Sequence, residues 1–196
     1  MSVLQGVGAR AAAIFFACAP ACPAVAADAA AGLQKAQVCV ACHGPDGVSA
    51  NPTVPSLAGQ PAQFIATQLL MYREGKRKDA QMSPFAANLS NTDLNDLAAY
   101  FAAQKLPARA ADATTDTQTG ARLAREFNCV QCHGATLLGQ QHIPRLAGQQ
   151  REYLKTQLRG FKAQTRFDMD GQMTSAAQPL SEADIDALAA YLAGMR

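Results

Sequence analysis

The chain has 196 residues, 49% of them hydrophobic but only 6% aromatic, and it has no Trp. Its 17 Lys and Arg against 15 Asp and Glu leave a formal net charge of +2, which gives no case for a nucleic-acid partner. Beyond the N-terminus no segment reaches the roughly 18 uninterrupted apolar residues of a membrane-spanning helix, so the mature chain is expected to be soluble.

Residues 1–27 read as a signal peptide. Arg10 precedes the apolar run from Ala11 to Cys22, and the small residues from Pro23 to Ala27 suit signal-peptidase cleavage after Ala26 or Ala27. The expected location is therefore the periplasm. Cys18 and Cys22 fall inside this segment without the Leu-small-small context of a lipoprotein anchor. Its removal leaves four cysteines, with none over for a structural disulfide.

Those four stand in Cys39-Val-Ala-Cys42-His43-Gly44 and, 90 residues later, Cys129-Val-Gln-Cys132-His133-Gly134. Two thiols three positions apart on one helical turn can add to the two vinyl groups of one haem, and the adjacent His then points at the iron. A redox dithiol would be expected beside a strand of a βαβ unit, and no convincing strand is present. Zinc ribbons bring their Cys pairs together over much shorter separations. The pattern predicts two covalently bound haem c groups, which would also supply the bulk that few aromatics leave missing from two small cores.

The repeat continues past the motifs. Pro55-Ser-Leu-Ala-Gly-Gln60 matches Pro144-Arg-Leu-Ala-Gly-Gln149, and Phe64 to Leu69 matches Tyr153 to Leu158. Both following segments read as helices, with Pro61 suited to a first turn and Phe64, Ile65, Leu69 and Tyr72 on an apolar face. Ser90 with Asp93, and Ser181 with Asp184, mark two more helix starts. The apolar sets Leu94, Leu97, Ala98, Phe101 and Ile185, Leu188, Ala189, Leu192 follow at helical spacing. The expected organisation is a first domain over residues 28–105, a linker over 106–119 and a second domain over 120–196. Arg73 to Lys78 reads as a solvated charge run or a steering patch for a partner, and His142 as a surface loop residue.

An attached haem iron needs a sixth ligand. Met82 and Met173 occupy equivalent places, each following a Gln and each seven residues before the Leu that precedes a capping Ser. A thioether is a soft neutral ligand that favours ferrous iron and raises the reduction potential. Met169 rivals Met173, because the second repeat carries two extra residues here. Met71, aligned with Gly160, and Met195, at the terminus, read as packing residues.

With these residues in view the chain resembles dihaem cytochromes of the cytochrome c4 family. The likeness is carried by the two Cys-x-x-Cys-His-Gly motifs, the paired Pro-x-Leu-Ala-Gly-Gln segments, the Met loops and the terminal Leu-Ala-Ala-Tyr helices at Leu97 and Leu188. It implies an all-α fold of two tandem class I cytochrome c-like domains, each wrapped around one covalently attached haem. In similar proteins a Pro carbonyl accepts a hydrogen bond from the ligating imidazole, which falls here on Pro55 and Pro144. The resemblance implies an electron carrier and not an enzyme, shuttling electrons from a quinol-oxidising complex to a haem-copper terminal oxidase, with loose membrane association compatible with that role. The alternative is a cytochrome c subunit of a periplasmic sulfide- or alcohol-oxidising dehydrogenase. A dihaem peroxidase or thiosulfate dehydrogenase would need an open iron position, against which the paired Met loops argue.

Overall fold

Ten α-helices succeed one another along residues 26–108 and 117–195, the parts of the chain that the computed structural model describes. All but the last two residues of the expected signal peptide lie outside the described residues, as does the 109–116 part of the linker. In the first half the helices are α1 (Ala29–Lys35), α2 (Val40–His43), α3 (Ala62–Arg73), α4 (Met82–Ala86) and α5 (Asn91–Ala103). The second half repeats them as α6 (Thr117–Glu126), α7 (Cys129–His133), α8 (Arg151–Lys162), α9 (Gln172–Ala177) and α10 (Glu182–Gly194). Among the described residues the only β pairing is one isolated bridge, Gln140 with Ile143.

Local chemistry sets most of these boundaries. Ser90 and Asp93 form a reciprocal capping box, the Ser hydroxyl accepting from Asp93 N at 3.1 Å and the carboxylate accepting from Ser90 N at 2.9 Å. Ser181 and Asp184 repeat it at 3.1 and 2.8 Å. Asp28 Oδ1 caps α1 by accepting from the Ala30 and Ala31 amides. Pro61 stands at the N-cap of α3, one residue earlier than a first-turn position, and Gln150 takes that place before α8. Helix α6 begins at Thr117, so the last three residues of the 106–119 stretch are helical. Each Met segment, expected as loop, carries a short helix.

In each half the first and last long helices cross at a glycine. A Cβ on Gly32 would lie 2.0 Å from the Asp96 carbonyl oxygen of α5, and one on Gly120 would lie 2.2 Å from Tyr191 Cβ of α10. Only hydrogen fits at either crossing, and this close approach lets two short helices share one core. The first core gathers Ile65, Leu97, Ala98 and Phe101, with Phe64 and Leu69 packed at its edge. The second gathers Leu123, Phe161, Leu180, Ile185 and Leu188, continued by Leu137, Leu154 and Leu192. The apolar faces expected from helical spacing are the buried ones.

The halves meet through hydrogen bonds that obey a local two-fold. Gln149 Oε1 accepts from Ser56 N at 2.8 Å and its Nε2 donates to Ser56 O at 2.9 Å. Gln60 makes the matching pair with Arg145, accepting from its N–H at 3.0 Å and donating to its carbonyl at 2.9 Å. Since Gln60 aligns with Gln149 and Ser56 with Arg145, each half presents the same surface to the other, as in an isologous contact. Tyr153 N donates to Pro52 O at 3.1 Å at the edge of this surface.

Candidate haem-binding sites

Helices α2 and α7 are single turns ended at once by glycine. Gly44 and Gly134 take φ of 80° and 83°, a conformation that stops each helix directly after its His. The imidazoles of His43 and His133 fold inward and are 6% and 4% exposed. Each Nδ1 donates to a proline carbonyl, His43 to Pro55 and His133 to Pro144, both at 2.8 Å. Burial lowers the pKa of both rings and the bonds to the prolines oppose it only in part, so both are neutral at physiological pH. A neutral ring with Nδ1 engaged offers Nε2 to a metal.

Cys39 and Cys129 are half-buried against the cores, and burial pushes both thiols up; Cys42 and Cys132 are exposed. No disulfide joins any two of the four, and no group of three or more His, Cys, Asp or Glu side chains converges among the described residues. The two pairs therefore form neither a disulfide nor a shared cage.

On the methionine side an unanticipated carboxylate fixes the register. Asp79 Oδ1 accepts from the amides of Gln81 and Met82, each at 2.9 Å. Asp168 does the same for Met173 at 2.8 Å and Thr174 at 3.2 Å. Burial would raise the Asp168 carboxyl, but these amides outweigh it and leave its pKa below the usual value. The two extra residues of the second repeat thus fall between Asp168 and Met173, where Gly171 turns the chain at φ 72°. Met173 packs against the second core, whereas Met169 is 71% exposed.

Two arginines stand where the halves meet. Arg77 lies over the Tyr72 ring at 4.7 Å and donates to Gln68, to Gln157 at 3.0 Å and to the Tyr153 hydroxyl at 3.2 Å. Arg166 lies over the Phe161 ring at 4.4 Å and donates to Gln157 and, at 3.4 Å, to Gln68. Burial lowers Arg166 to about 10, and burial alone would raise the Tyr153 phenol, but the two guanidinium groups bring that phenol below its usual value. Among the described residues neither guanidinium forms an ion pair, and Arg166 Nε is shut from solvent without a hydrogen-bond partner. Partly desolvated cations of this kind call for an anion. Haem brings two propionate carboxylates on the pyrroles that do not bear the vinyl groups, so the residues present fit that cofactor.

This placement takes Arg77 and Arg73 out of the solvated charge run or steering patch read over Arg73 to Lys78, whereas Glu74, Lys76 and Lys78 are exposed. Arg77 faces the interface, and Arg73 binds the Leu89 carbonyl at 2.8 Å and Asn91 Oδ1 at 3.0 Å. His142 lies in an exposed turn, as expected.

Comparison with known proteins agrees with this geometry. The family described as Cytochrome c matches residues 117–196, and the family described as Cytochrome C oxidase, cbb3-type, subunit III matches residues 25–101. Cytochrome c4 of Pseudomonas aeruginosa is 40% identical over 181 residues, spanning 87% of this chain and 90% of the relative. The chain belongs to the cytochrome c4 family. The crystal structure of reduced recombinant cytochrome c4 from Pseudomonas stutzeri superposes with a TM-score of 0.81 at 34% identity, covering 87% of this chain and 100% of that one. A thiosulfate dehydrogenase electron acceptor of Thiomonas intermedia is 34% identical, covering 87% of this chain and 84% of the relative.

As a cytochrome c4 the chain is an electron carrier and not an enzyme, all-α, with two tandem cytochrome c domains and two covalently bound haem c groups. Three further pairs of residues bear on the sites. Asp79 and Asp168 precede both Met segments, Gln60 and Gln149 close the matched Pro-x-Leu-Ala-Gly-Gln segments, and Arg77 and Arg166 align. Their recurrence is visible in the sequence, but their contacts cross loops or the interface, where spacing carries no signal.

Proposed function

We propose that Cys39 and Cys42 bind one haem and Cys129 and Cys132 the other, with His43 and Met82, and His133 and Met173, as the axial pairs. The observation that carries this is the duplication of the whole set: buried imidazole on a proline carbonyl, and methionine amide on a carboxylate, in both halves. The packing of Met173 against the core supports it over the exposed Met169. Haem supplies one-electron redox chemistry. The chain's own residues hold the imidazoles neutral and oriented, fix each methionine's backbone, and place Arg77 and Arg166 to receive propionates. With both axial positions taken by side chains, a reactant has no place at either iron.

The proposed role is a periplasmic shuttle from the quinol-oxidising chain to a haem-copper terminal oxidase. The likeness of residues 25–101 to a subunit of cbb3-type oxidase supports this direction of flow. No helix among the described residues is long and apolar enough to cross a membrane, and loose association with a membrane-bound partner is compatible with the role. The second reading, acceptor for a periplasmic dehydrogenase, is favoured by the name of the Thiomonas intermedia relative. Stopped-flow mixing of the reduced holoprotein with oxidase-containing membranes distinguishes them. Oxidation at the pace of oxidase turnover is expected; no oxidation there, with fast reduction by thiosulfate dehydrogenase and thiosulfate, would favour the second reading.

A further inference from the structure

The two glutamine ties do not land on arbitrary backbone. The carbonyl of Pro55 and the N–H of Ser56 belong to one peptide group: its oxygen accepts from His43 Nδ1 at 2.8 Å, and its nitrogen donates to Gln149 Oε1 at 2.8 Å. In the other half the Pro144–Arg145 peptide accepts from His133 at 2.8 Å and donates to Gln60 Oε1 at 3.0 Å. Each imidazole is therefore joined, through one peptide, to a side chain of the opposite domain. Ser56, Gln60 and Gln149 are 1%, 4% and 3% exposed, so water does not compete for these bonds.

Hydrogen bonds in series through a buried amide polarise one another. An acceptor on the N–H shifts electron density toward the carbonyl oxygen, which then draws harder on the imidazole proton and makes Nε2 a stronger donor to a metal. A stronger donor favours ferric over ferrous iron and lowers the reduction potential.

We infer that Gln149 tunes the haem of the first domain and Gln60 the haem of the second, each acting across the interface as a positioning residue on the other domain's ligand peptide. This rests on His43 and His133 being the iron ligands. Contact between the domains would then lower both potentials, so a partner that loosened the interface would raise them.

The test is a spectroelectrochemical titration of full-length holoprotein carrying Gln149→Leu or Gln60→Leu, with the haems assigned by the NMR signals of Met82 and Met173. Gln149→Leu is expected to raise the first haem's potential and leave the second's in place, and Gln60→Leu to do the reverse. Gln149→Glu, which keeps the acceptor oxygen, is expected to hold the first haem at or below its wild-type value, and it serves if the Leu variant does not fold. A shift confined to the haem of the mutated domain, equal shifts of both haems, or no shift at all would overturn the inference. A wild-type spectrum lacking low-spin His/Met features would instead remove the ligand assignment on which it rests.

Discussion

The two domains are built to one plan, and what they do not share separates the needs of the haem from the needs of the fold. Both keep the cysteine pair, the His on a proline carbonyl, the Met-clamping Asp, the glycine crossing and the interface Gln. They differ in how the crossing helices are tied. In the first domain Lys35 Nζ lies 2.7 Å from Asp96 and 3.1 Å from Asp93, and the Asp28 amide also donates to Asp96, so α1 is pinned to α5 by charge. In the second, Ala187 aligns with Asp96, and Gly120 simply seats against Tyr191. Ions there tie α8 to α10 instead, Lys155 to Asp186 at 2.8 Å. The parts that differ are ion pairs that tie helices together; the parts that recur are the proposed haem ligands with their supports, the glycine crossings and the glutamine contacts between the halves.

The largest effect that could break this comparison comes from the imidazoles. His43→Ala is expected to remove the low-spin spectrum of one haem and leave the other, and His133→Ala the converse; loss of both from either change would mean that the sites are not independent. Next are the crossings. Gly32→Ala and Gly120→Ala each force a methyl into backbone or Tyr191 and should cost about 1–3 kcal/mol, read as a lowered denaturant midpoint with holoprotein intact. Equal costs would show that charge ties add little to the first domain. Ser90→Ala and Ser181→Ala each break a capping box and are expected to cost about 1 kcal/mol.

Acid should separate the domains more finely. Asp93 is brought down to about 2 by its bonds to Ser90 and Lys35, and Asp96 is lowered chiefly by Lys35. A carboxyl whose folded pKa is depressed contributes fully above its ordinary value and loses that contribution as pH falls through the folded one. The first domain's tie should therefore weaken from below about pH 4 down to about 2, and Asp96→Asn should flatten this part of its unfolding profile. A profile unchanged by Asp96→Asn would make the Lys35 contacts ornamental. The smallest effect is expected of Met169→Ala, which should leave the near-infrared sulfur-to-iron band intact while Met173→Ala removes one of its two components.

Much of this plan is legible in the order of the residues. Local chemistry writes the Cys-x-x-Cys-His turns, the Ser/Asp caps and the apolar faces around Leu97 and Leu188, because each depends on residues within a turn or two. Gly32 and Gly120 are not legible in this way, since their meaning is a distance to a helix some 60 to 70 residues away. Arg77 misleads for a related reason: within Arg73 to Lys78 it resembles any solvated charge, and the contacts that turn it inward are Tyr72 and Gln68 of its own half together with Gln157 and Tyr153 of the other. Spacing counted back from Leu180 already favours Met173 over Met169, and the Asp168 bond to the Met173 amide, which spacing does not show, supports the same choice.

The claim beneath all of this is that side chains of this chain fill both axial positions at both irons. Exposure of the fully reduced holoprotein to carbon monoxide at neutral pH tests it most directly. The visible spectrum should remain that of two low-spin ferrous haems, unchanged over minutes; a shift of either haem to a carbon monoxide complex would contradict the account.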